Sequence, residues 1–464
     1  MKKRLIIVLS AIFILVCGTS AFSLEVRVAD DRLSIEAAQV PLQEILKRLN
    51  VLGIQIRIDP EINPMITASF EDRDIQKGLS SILKSLDYVL IWSSVQGPSG
   101  PIPRLAEIQV FRQGKKGLMK PLVKDSTLNI VKNADGSFIV KDEILLRLKP
   151  GSDQSELKRI LREIGGILLD SQSDLGIYRI RLPENSELSS LLDQIKDLTN
   201  LEEAEPNFAY PLPTPLTNGE PGPPTESPSV LSVPGGKVPV AVLDTGMMPT
   251  AGLEALVLAS QDSLNPDEPI SDSLGHGTQM ALIAAGLIRP DGVRLGSETQ
   301  TPIIPVRAFD DNGFTSNFHI MNSIDFAIEN GAKVLSLSWG SETRSDFLES
   351  AMDYADSKGL IIIASAGNEP TGKPVYPAAY KSVIGVGAIG RDGKPWESSN
   401  FGDFVTLYAP GFASLPVGYK GDPGLYAGTS ISAAFVANLV AEVLSQNPEA
   451  TRQDVIKALT GNKK

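Results

Sequence analysis

Two short apolar runs constrain this chain more than any other feature. Val238 to Leu243 and Ile361 to Ala364 are too brief for helices and do not alternate with polar residues. Such runs read as strands buried on both faces, the pattern of a parallel sheet covered by helices on either side. Each ends on a polar group, Asp244-Thr245-Gly246 after the first and Ser365-Ala366-Gly367-Asn368 after the second. The carboxyl ends of strands are where open α/β sheets gather their ligands. Two further segments supply partners. Gly275-His276-Gly277-Thr278 opens an apolar helix through Met280, Leu282 and Ile283, and Gly428-Thr429-Ser430-Ile431-Ser432-Ala433-Ala434 is a glycine-led turn entering a helix of small residues.

These residue types fit one chemistry. A serine hydroxyl is a poor nucleophile until a base takes its proton, and His276 is an available base for Ser430. A buried carboxylate at Asp244 would fix the imidazole tautomer and stabilise the imidazolium. The Asn368 side chain and the Ser430 N–H, at a helix start, are donors suited to an oxyanion. Asp244-Thr245-Gly246 alone is also half of an aspartic-protease site, but that chemistry needs two such aspartates and the chain has no second Asp-Thr-Gly. His319 stands without clustered ligands and reads as a packing or surface residue rather than a metal ligand.

Taken in order, the Asp244, His276, Asn368 and Ser430 motifs resemble those of the subtilisin-like serine proteases, and the resemblance covers Val238 to Asn462. It is strengthened by Ser399-Asn400-Phe401-Gly402 and Ala409-Pro410-Gly411. The resemblance implies an α/β, three-layer domain with a mainly parallel sheet, and serine endopeptidase activity on protein or peptide substrates. It implies Ser338-Trp339-Gly340 and Ala366-Gly367 as walls of the primary specificity pocket, with Trp339 equally readable as a core aromatic. Gly313-Phe314-Thr315 would be the edge strand that pairs with substrate backbone. No cofactor is implied for the chemistry. The chain departs from the family at Ala434, Phe435 and Asn438, in its lead-in to Asp244 and in the short loop Arg289-Pro290-Asp291-Gly292. The last two departures leave structural calcium in doubt.

Two small α+β domains precede this one. In residues 140–210, Ile144 to Leu148 and Gly176 to Leu182 read as strands, while Leu157, Ile160, Leu161 and Ile164, then Leu188, Leu191, Leu192, Ile195 and Leu198, repeat at helical spacing. The ending Ala204-Glu205-Pro206-Asn207-Phe208 resembles that of inhibitory subtilisin-type propeptides, which implies a domain docked in cis with its last strand in the cleft. By position, the bond presented for cutting would be Tyr210-Pro211; a proline there should resist, moving any cut to Thr214–Val233 or abolishing it. Between Pro211 and Pro234, 8 of 24 residues are proline, so residues 211–236 read as an extended tether.

In residues 24–95, a helix through Leu42, Ile45, Leu46 and Leu49, strands Ile54–Ile58 and Met65–Phe70, a helix from Ile75 to Leu86 and a strand Tyr88–Trp92 make the other α+β module. Leu33 to Trp92 resembles the secretin and TonB N-terminal short domain, which implies an envelope protein partner. Residues 96–139, rich in Gly, Pro, Lys and Asp, read as a linker. At the start, Lys2, Lys3 and Arg4 precede the apolar run Leu5 to Cys17 and the small residues Ala21-Phe22-Ser23. That is a signal-peptide pattern, 1–23, and implies export to the periplasm or beyond the cell. Cys17, the single cysteine, follows Val16 rather than the small residue a lipid-anchor signal wants. A net charge of −12 argues against a nucleic-acid partner. The competing functional class is a periplasmic binding or scaffold protein whose protease-like domain never cuts.

Overall fold

The computed structural model describes residues 24–461 except 30, 124–126, 196–197, 199, 214–215, 218–236, 251, 294–299 and 418–422. The expected signal peptide and nearly all of the expected tether lie outside the described residues. The chain divides into two compact units, one of residues 1–93 with 104–123 and the other of residues 94–103 with 124–464.

In the first unit the elements run β1 (Leu24–Ala29), β2 (Arg32–Pro41), α1 (Leu42–Val51), β3 (Gln55–Ile58), β4 (Met65–Asp74), α2 (Ile75–Leu83), β5 (Asp87–Gly97), β6 (Gly100–Phe111) and β7 (Lys120–Pro121). One sheet has the order β1-β2-β4 and the other β5-β6-β3-β7. The expected apolar stripe of α1 is realised, with Leu42, Ile45, Leu46 and Leu49 all fully buried. The expected linker is corrected here. Its first part is β6, which pairs in parallel with β3 from Gln55↔Glu107 to Ile58↔Val110. The cause is burial: Leu105, Ile108 and Val110 are all buried. The boundary expected at residue 95 therefore falls inside β5; residues 94–103, the end of β5 and the start of β6, count with the second unit, and the first resumes over residues 104–123.

The second unit begins with an α+β domain of β8 (Ile130–Lys132), β9 (Phe138–Leu148), α3 (Gln154–Ile164), β10 (Ile167–Gln172), β11 (Ile177–Arg181), α4 (Leu188–Ile195) and β12 (Leu201–Pro211). A capping box between Asp153 and Glu156 starts α3, and Gly165, at φ 64°, ends it. The sheet order is β10-β11-β9-β12-β17, with β8 on β9. Its last strand, β17, comes from the following domain.

That domain holds β13 (Leu216–Thr217), β14 (Val240–Asp244), β15 (Gln261–Asp262), α5 (His276–Ala284), β16 (Ile303–Arg307), β17 (Phe314–Ser316), α6 (Asn317–Glu329), β18 (Val334–Leu337), α7 (Asp346–Ser357), β19 (Ile361–Ser365), β20 (Val383–Ile389), β21 (Leu407–Pro410), β22 (Phe412–Leu415), β23 (Gly424–Ala427), α8 (Thr429–Gln446) and α9 (Arg452–Thr460). Seven strands form a parallel sheet in the order β15-β16-β14-β18-β19-β20-β21. Alternation along β14 explains the unbroken apolar run. Ala241 and Leu243 enter the core that holds α6 and α7, while Val240 and Val242 enter the one that holds α5 and α8. Helices thus cover both faces, as the three-layer expectation required. Among the described residues, no helix is long and apolar enough to cross a membrane.

Candidate active site

Asp244 ends β14, and its carbonyl accepts from Ala308 N at 2.8 Å and Phe309 N at 3.2 Å in the loop after β16. Its carboxylate Oδ1 accepts from Thr245 N at 2.7 Å and lies 2.7 Å from His276 Nδ1. Both side chains are buried. An Nδ1–H donated to a carboxylate leaves Nε2 as the atom that can accept a proton. Burial pulls the His276 pKa down, but the Asp244 charge and hydrogen bond, with Asp272 beyond, leave it above the ordinary 6.5.

His276 is the first residue of α5, behind Gly275 at φ 81°. Two glycines permit the approach of this helix to the Asp244 loop. A Cβ on Gly277 would stand 2.3 Å from Gly246 O, and one on Gly246 would stand 1.9 Å from Ser271 O. The same junction is tied by Asp272, which the sequence reading did not single out. It accepts from Gly275 N at 2.7 Å, Thr278 N at 2.8 Å and Thr245 Oγ1 at 2.8 Å. Thr245 Oγ1 in turn accepts from Gly277 N at 2.7 Å. An acidic residue just ahead of a helix start was the available signal, because such side chains satisfy the first free N–H groups.

Ser430 is the second residue of α8, so its N–H belongs to the first turn, which has no carbonyl one turn back. Asn368 Oδ1 accepts from Thr429 N and from Thr429 Oγ1, each at 2.9 Å. A backbone N–H can only donate, so Oδ1 is the atom turned to Thr429, which leaves the Asn368 Nδ2 donors for a ligand. The Ser430 hydroxyl donates to Ser338 O at 3.0 Å. Helices α5 and α8 pack in one core, so His276 and Ser430 open neighbouring helices.

Beside Asn368 lies a cavity of ≈ 460 Å³, lined by Gly340, Ser341 and Glu342 on one side and by Ser365, Gly367, Asn368, Glu369 and Thr371 on the other, with Val375, Thr429 and Pro211–Pro213. Of the expected pocket walls, Gly340 and Gly367 are in place. A Cβ on Gly340 would meet Val375 Cγ1 at 2.5 Å, so a side chain there would have to displace Val375. Ser338 contributes its carbonyl to the Ser430 hydroxyl, and Ala366 is buried. Trp339 is corrected: it lies fully buried in the core and does not line the cavity. Its ring packs on Phe309 at 5.9 Å and on Tyr210 at 5.4 Å.

The expected substrate edge, Gly313 and Phe314, is taken by the chain itself. β12 pairs antiparallel with β17 through Ala209↔Ser316, Tyr210↔Thr315 and Pro211↔Phe314, and Leu212 N donates to Gly313 O at 2.7 Å. Around this strand the α+β domain is fastened to α6 and α7. The Tyr210 hydroxyl donates to Asn317 Oδ1 at 2.6 Å. Glu205 accepts from Asn317 Nδ2 at 3.0 Å, from the Ser345 hydroxyl and from Asp346 N at 3.3 Å, at the start of α7. Burial pushes Glu205 up to about 7, against the pull of those hydrogen bonds. His319 is buried with Nδ1 2.8 Å from Ser316 Oγ, in keeping with a packing role.

Three other buried carboxylates are taken by protein partners. Asp262 pairs with Arg307 Nη1 at 2.5 Å, Asp272 is taken as described, and Asp310 accepts from Leu128 N at 2.7 Å and Phe314 N at 2.8 Å. Among the described residues no three or more His, Cys, Asp or Glu side chains are gathered as a group that could hold a metal ion.

A base with its tautomer fixed by a buried carboxylate, and a hydroxyl at the head of a helix packed on the base's own, are the parts a serine hydrolase needs. Comparison with known proteins narrows it. The Subtilase family matches residues 235–464 and the Fervidolysin N-terminal prodomain family matches residues 125–207. Subtilisin of Bacillus pumilus is 34% identical over 227 residues, 48% of this chain and 82% of that protein. A thermophilic serine proteinase of Bacillus sp. (strain AK1) is 29% identical over 325 residues, 68% of this chain and 80% of that protein. The crystal structure of fervidolysin from Fervidobacterium pennivorans shares the fold, with a TM-score of 0.59 at 24% identity, over 73% of this chain and 61% of that one. The chain belongs to the subtilase family of serine endopeptidases.

Proposed function

We propose that this subtilase hydrolyses peptide bonds through an acyl-enzyme on Ser430, with Asp244, His276 and Asn368 as its partners. The carrying observation is the 2.7 Å contact of His276 Nδ1 with Asp244 Oδ1 at the carboxyl end of β14. As Ser430 Oγ bonds to the substrate carbonyl carbon, His276 Nε2 takes its proton and the carbonyl electron pair moves onto oxygen. The Asn368 Nδ2 donors and the Ser430 N–H hold that oxygen. Collapse breaks the C–N bond, and the leaving amine takes the proton from His276. Water then enters by the same route and releases the acid. No step calls on a metal or other cofactor.

The cavity between Gly340 and Gly367 receives the side chain before the cut bond. The α+β domain of residues 140–210 serves as the inhibitor in cis, since its last strand lies on the edge that a substrate would use. The signal-peptide pattern of residues 1–23 supports export, to the periplasm or outside the cell. The helix-and-strand pattern of residues 24–95 supports a partner-binding module of the secretin and TonB kind, with an envelope protein as partner. A non-cleaving scaffold is not favoured, since the acid, base, nucleophile and oxyanion donor are all present. Profiling a peptide library with the purified protein tests the proposal. It predicts endoproteolysis that disappears in Ser430→Ala, and activity that survives in that variant would refute it.

A further inference from the structure

A recess separate from the cavity at Asn368 holds the Tyr210 side chain, and its walls are more selective than burial alone requires. Tyr210 stands opposite Thr315 in the pairing of β12 with β17, and both residues are fully buried. The ring lies 5.4 Å from Trp339 and shares a core with Phe309 and Phe318. Apolar walls of this kind would hold a phenylalanine equally well. One contact is polar: the Tyr210 hydroxyl donates to Asn317 Oδ1 at 2.6 Å. Asn317 is itself fully buried, and its own domain sets it. It is the first residue of α6, and its Nδ2 donates at 2.8 Å to the Oγ of Ser345, the N-cap of α7. Ser345 is fixed in turn, since its Oγ accepts from Leu348 N at 3.0 Å and its carbonyl from the Tyr380 hydroxyl at 2.8 Å. None of these contacts comes from residues 140–210, so the amide keeps its orientation, with Oδ1 towards the recess, when that domain leaves.

We infer, on the reading of this chain as an endopeptidase, that Asn317 is a specificity-determining residue: the recess selects a tyrosine of the substrate, at the position that pairs with Thr315. A phenol reaches Oδ1 and donates to it. Phenylalanine fills the same space and leaves a buried acceptor without a donor, which is costly. Beyond Tyr210 the chain runs on to Pro211–Pro213, which line the cavity with Asn368 and Thr429. The selected tyrosine therefore stands on the amino side of the cut bond, apart from the side chain that enters that cavity. The substrate class is an extended segment that adds to β17 and carries a tyrosine ahead of its cut bond.

The test gives full-length wild type, Asn317→Ala and Ser430→Ala a library of randomised peptides and sequences the products by mass spectrometry. Tyrosine and phenylalanine are compared on the same protein, so the fraction of chains with the 140–210 domain docked cancels from their ratio. Wild type should favour tyrosine over phenylalanine about fivefold at one position on the amino side of the cut, the worth of one hydrogen bond. Asn317→Ala should bring that ratio to about one, while selection at the residue next to the cut bond stays as in wild type. Equal use of the two aromatics by wild type overturns the inference, whether or not the variant folds. So does a ratio that keeps its wild-type value in an Asn317→Ala chain whose Ser430 a fluorophosphonate still labels. Cleavage that persists in Ser430→Ala, or no cleavage by wild type, would instead refute the peptidase reading on which the inference rests.

Discussion

Replacing Tyr210 should open the active site without touching it. The ring is fully buried, packs 5.4 Å from Trp339, and its hydroxyl donates to Asn317 Oδ1 at 2.6 Å. Truncating a buried aromatic to alanine costs about 3–5 kcal/mol, and here the cost falls on the docked state, because the undocked strand already exposes the ring. At ~1.4 kcal/mol per tenfold, the undocked population of Tyr210→Ala should rise by about 10²–10⁴. Tyr210→Phe keeps the ring and loses one hydrogen bond worth ~1 kcal/mol, a rise of about fivefold. The assay is the rate at which a fluorophosphonate labels Ser430 in the full-length chain, which follows the undocked fraction while docking is fast. Near-ultraviolet circular dichroism checks that each variant stays folded. If a folded Tyr210→Ala labelled no faster than wild type, or if both variants labelled alike, docking through this side chain would be the wrong account.

Three further outcomes follow from the site. With the His276 pKa held above 6.5, hydrolysis by the undocked enzyme should rise with pH to a midpoint above that value, since the neutral imidazole is the base; a midpoint below it would contradict the Asp244 contact. Glu205, raised from 4.5 to about 7, binds its proton more tightly when docked, so its contribution, on the order of 3 kcal/mol, is complete below the ordinary value and fades as pH climbs through about 7. Glu205→Gln should therefore flatten docking against pH, and the ratio of wild-type to variant labelling rates should grow between about pH 5 and 8; a constant ratio would rule this out. Asn368→Ala should lower kcat by about 10²–10³, a figure carried over from subtilisin, a relative of this chain, rather than worked from its geometry; an unchanged kcat would remove Asn368 from the oxyanion site.

Much of the catalytic domain could be read from the chain because β14 and β19 are buried on both faces, which writes them as unbroken apolar runs that end on the polar groups. The helix starts at His276 and Ser430 were legible for a similar reason, since glycines and small residues mark places where backbones must come close. What escaped were features set by distant partners. Ser338 and Ser430 are 92 residues apart, and nothing local announces that a carbonyl will hold the hydroxyl. Trp339 was open to two readings because an aromatic beside Gly340 fits either a pocket or a core, and only the arrival of Tyr210 and Phe309 decides it. β6 was hidden by its opening Gly100-Pro101-Ile102-Pro103, residues that usually mark turns and that a strand tolerates at its start. The register of β12 was hidden as well, because Pro211 looked like an end and the pairing runs on to Leu212.

The most direct test of the central claim is the position of a covalent adduct. Purified full-length protein is treated to completion with a fluorophosphonate, digested, and the modified residue located by mass spectrometry. The account predicts one adduct, on Ser430 Oγ, absent in Ser430→Ala and formed more slowly in His276→Ala by on the order of 10⁶, the loss known for subtilisin's own serine and histidine. An adduct on a different serine, or labelling of Ser430 that proceeds at the wild-type rate without His276, would contradict it.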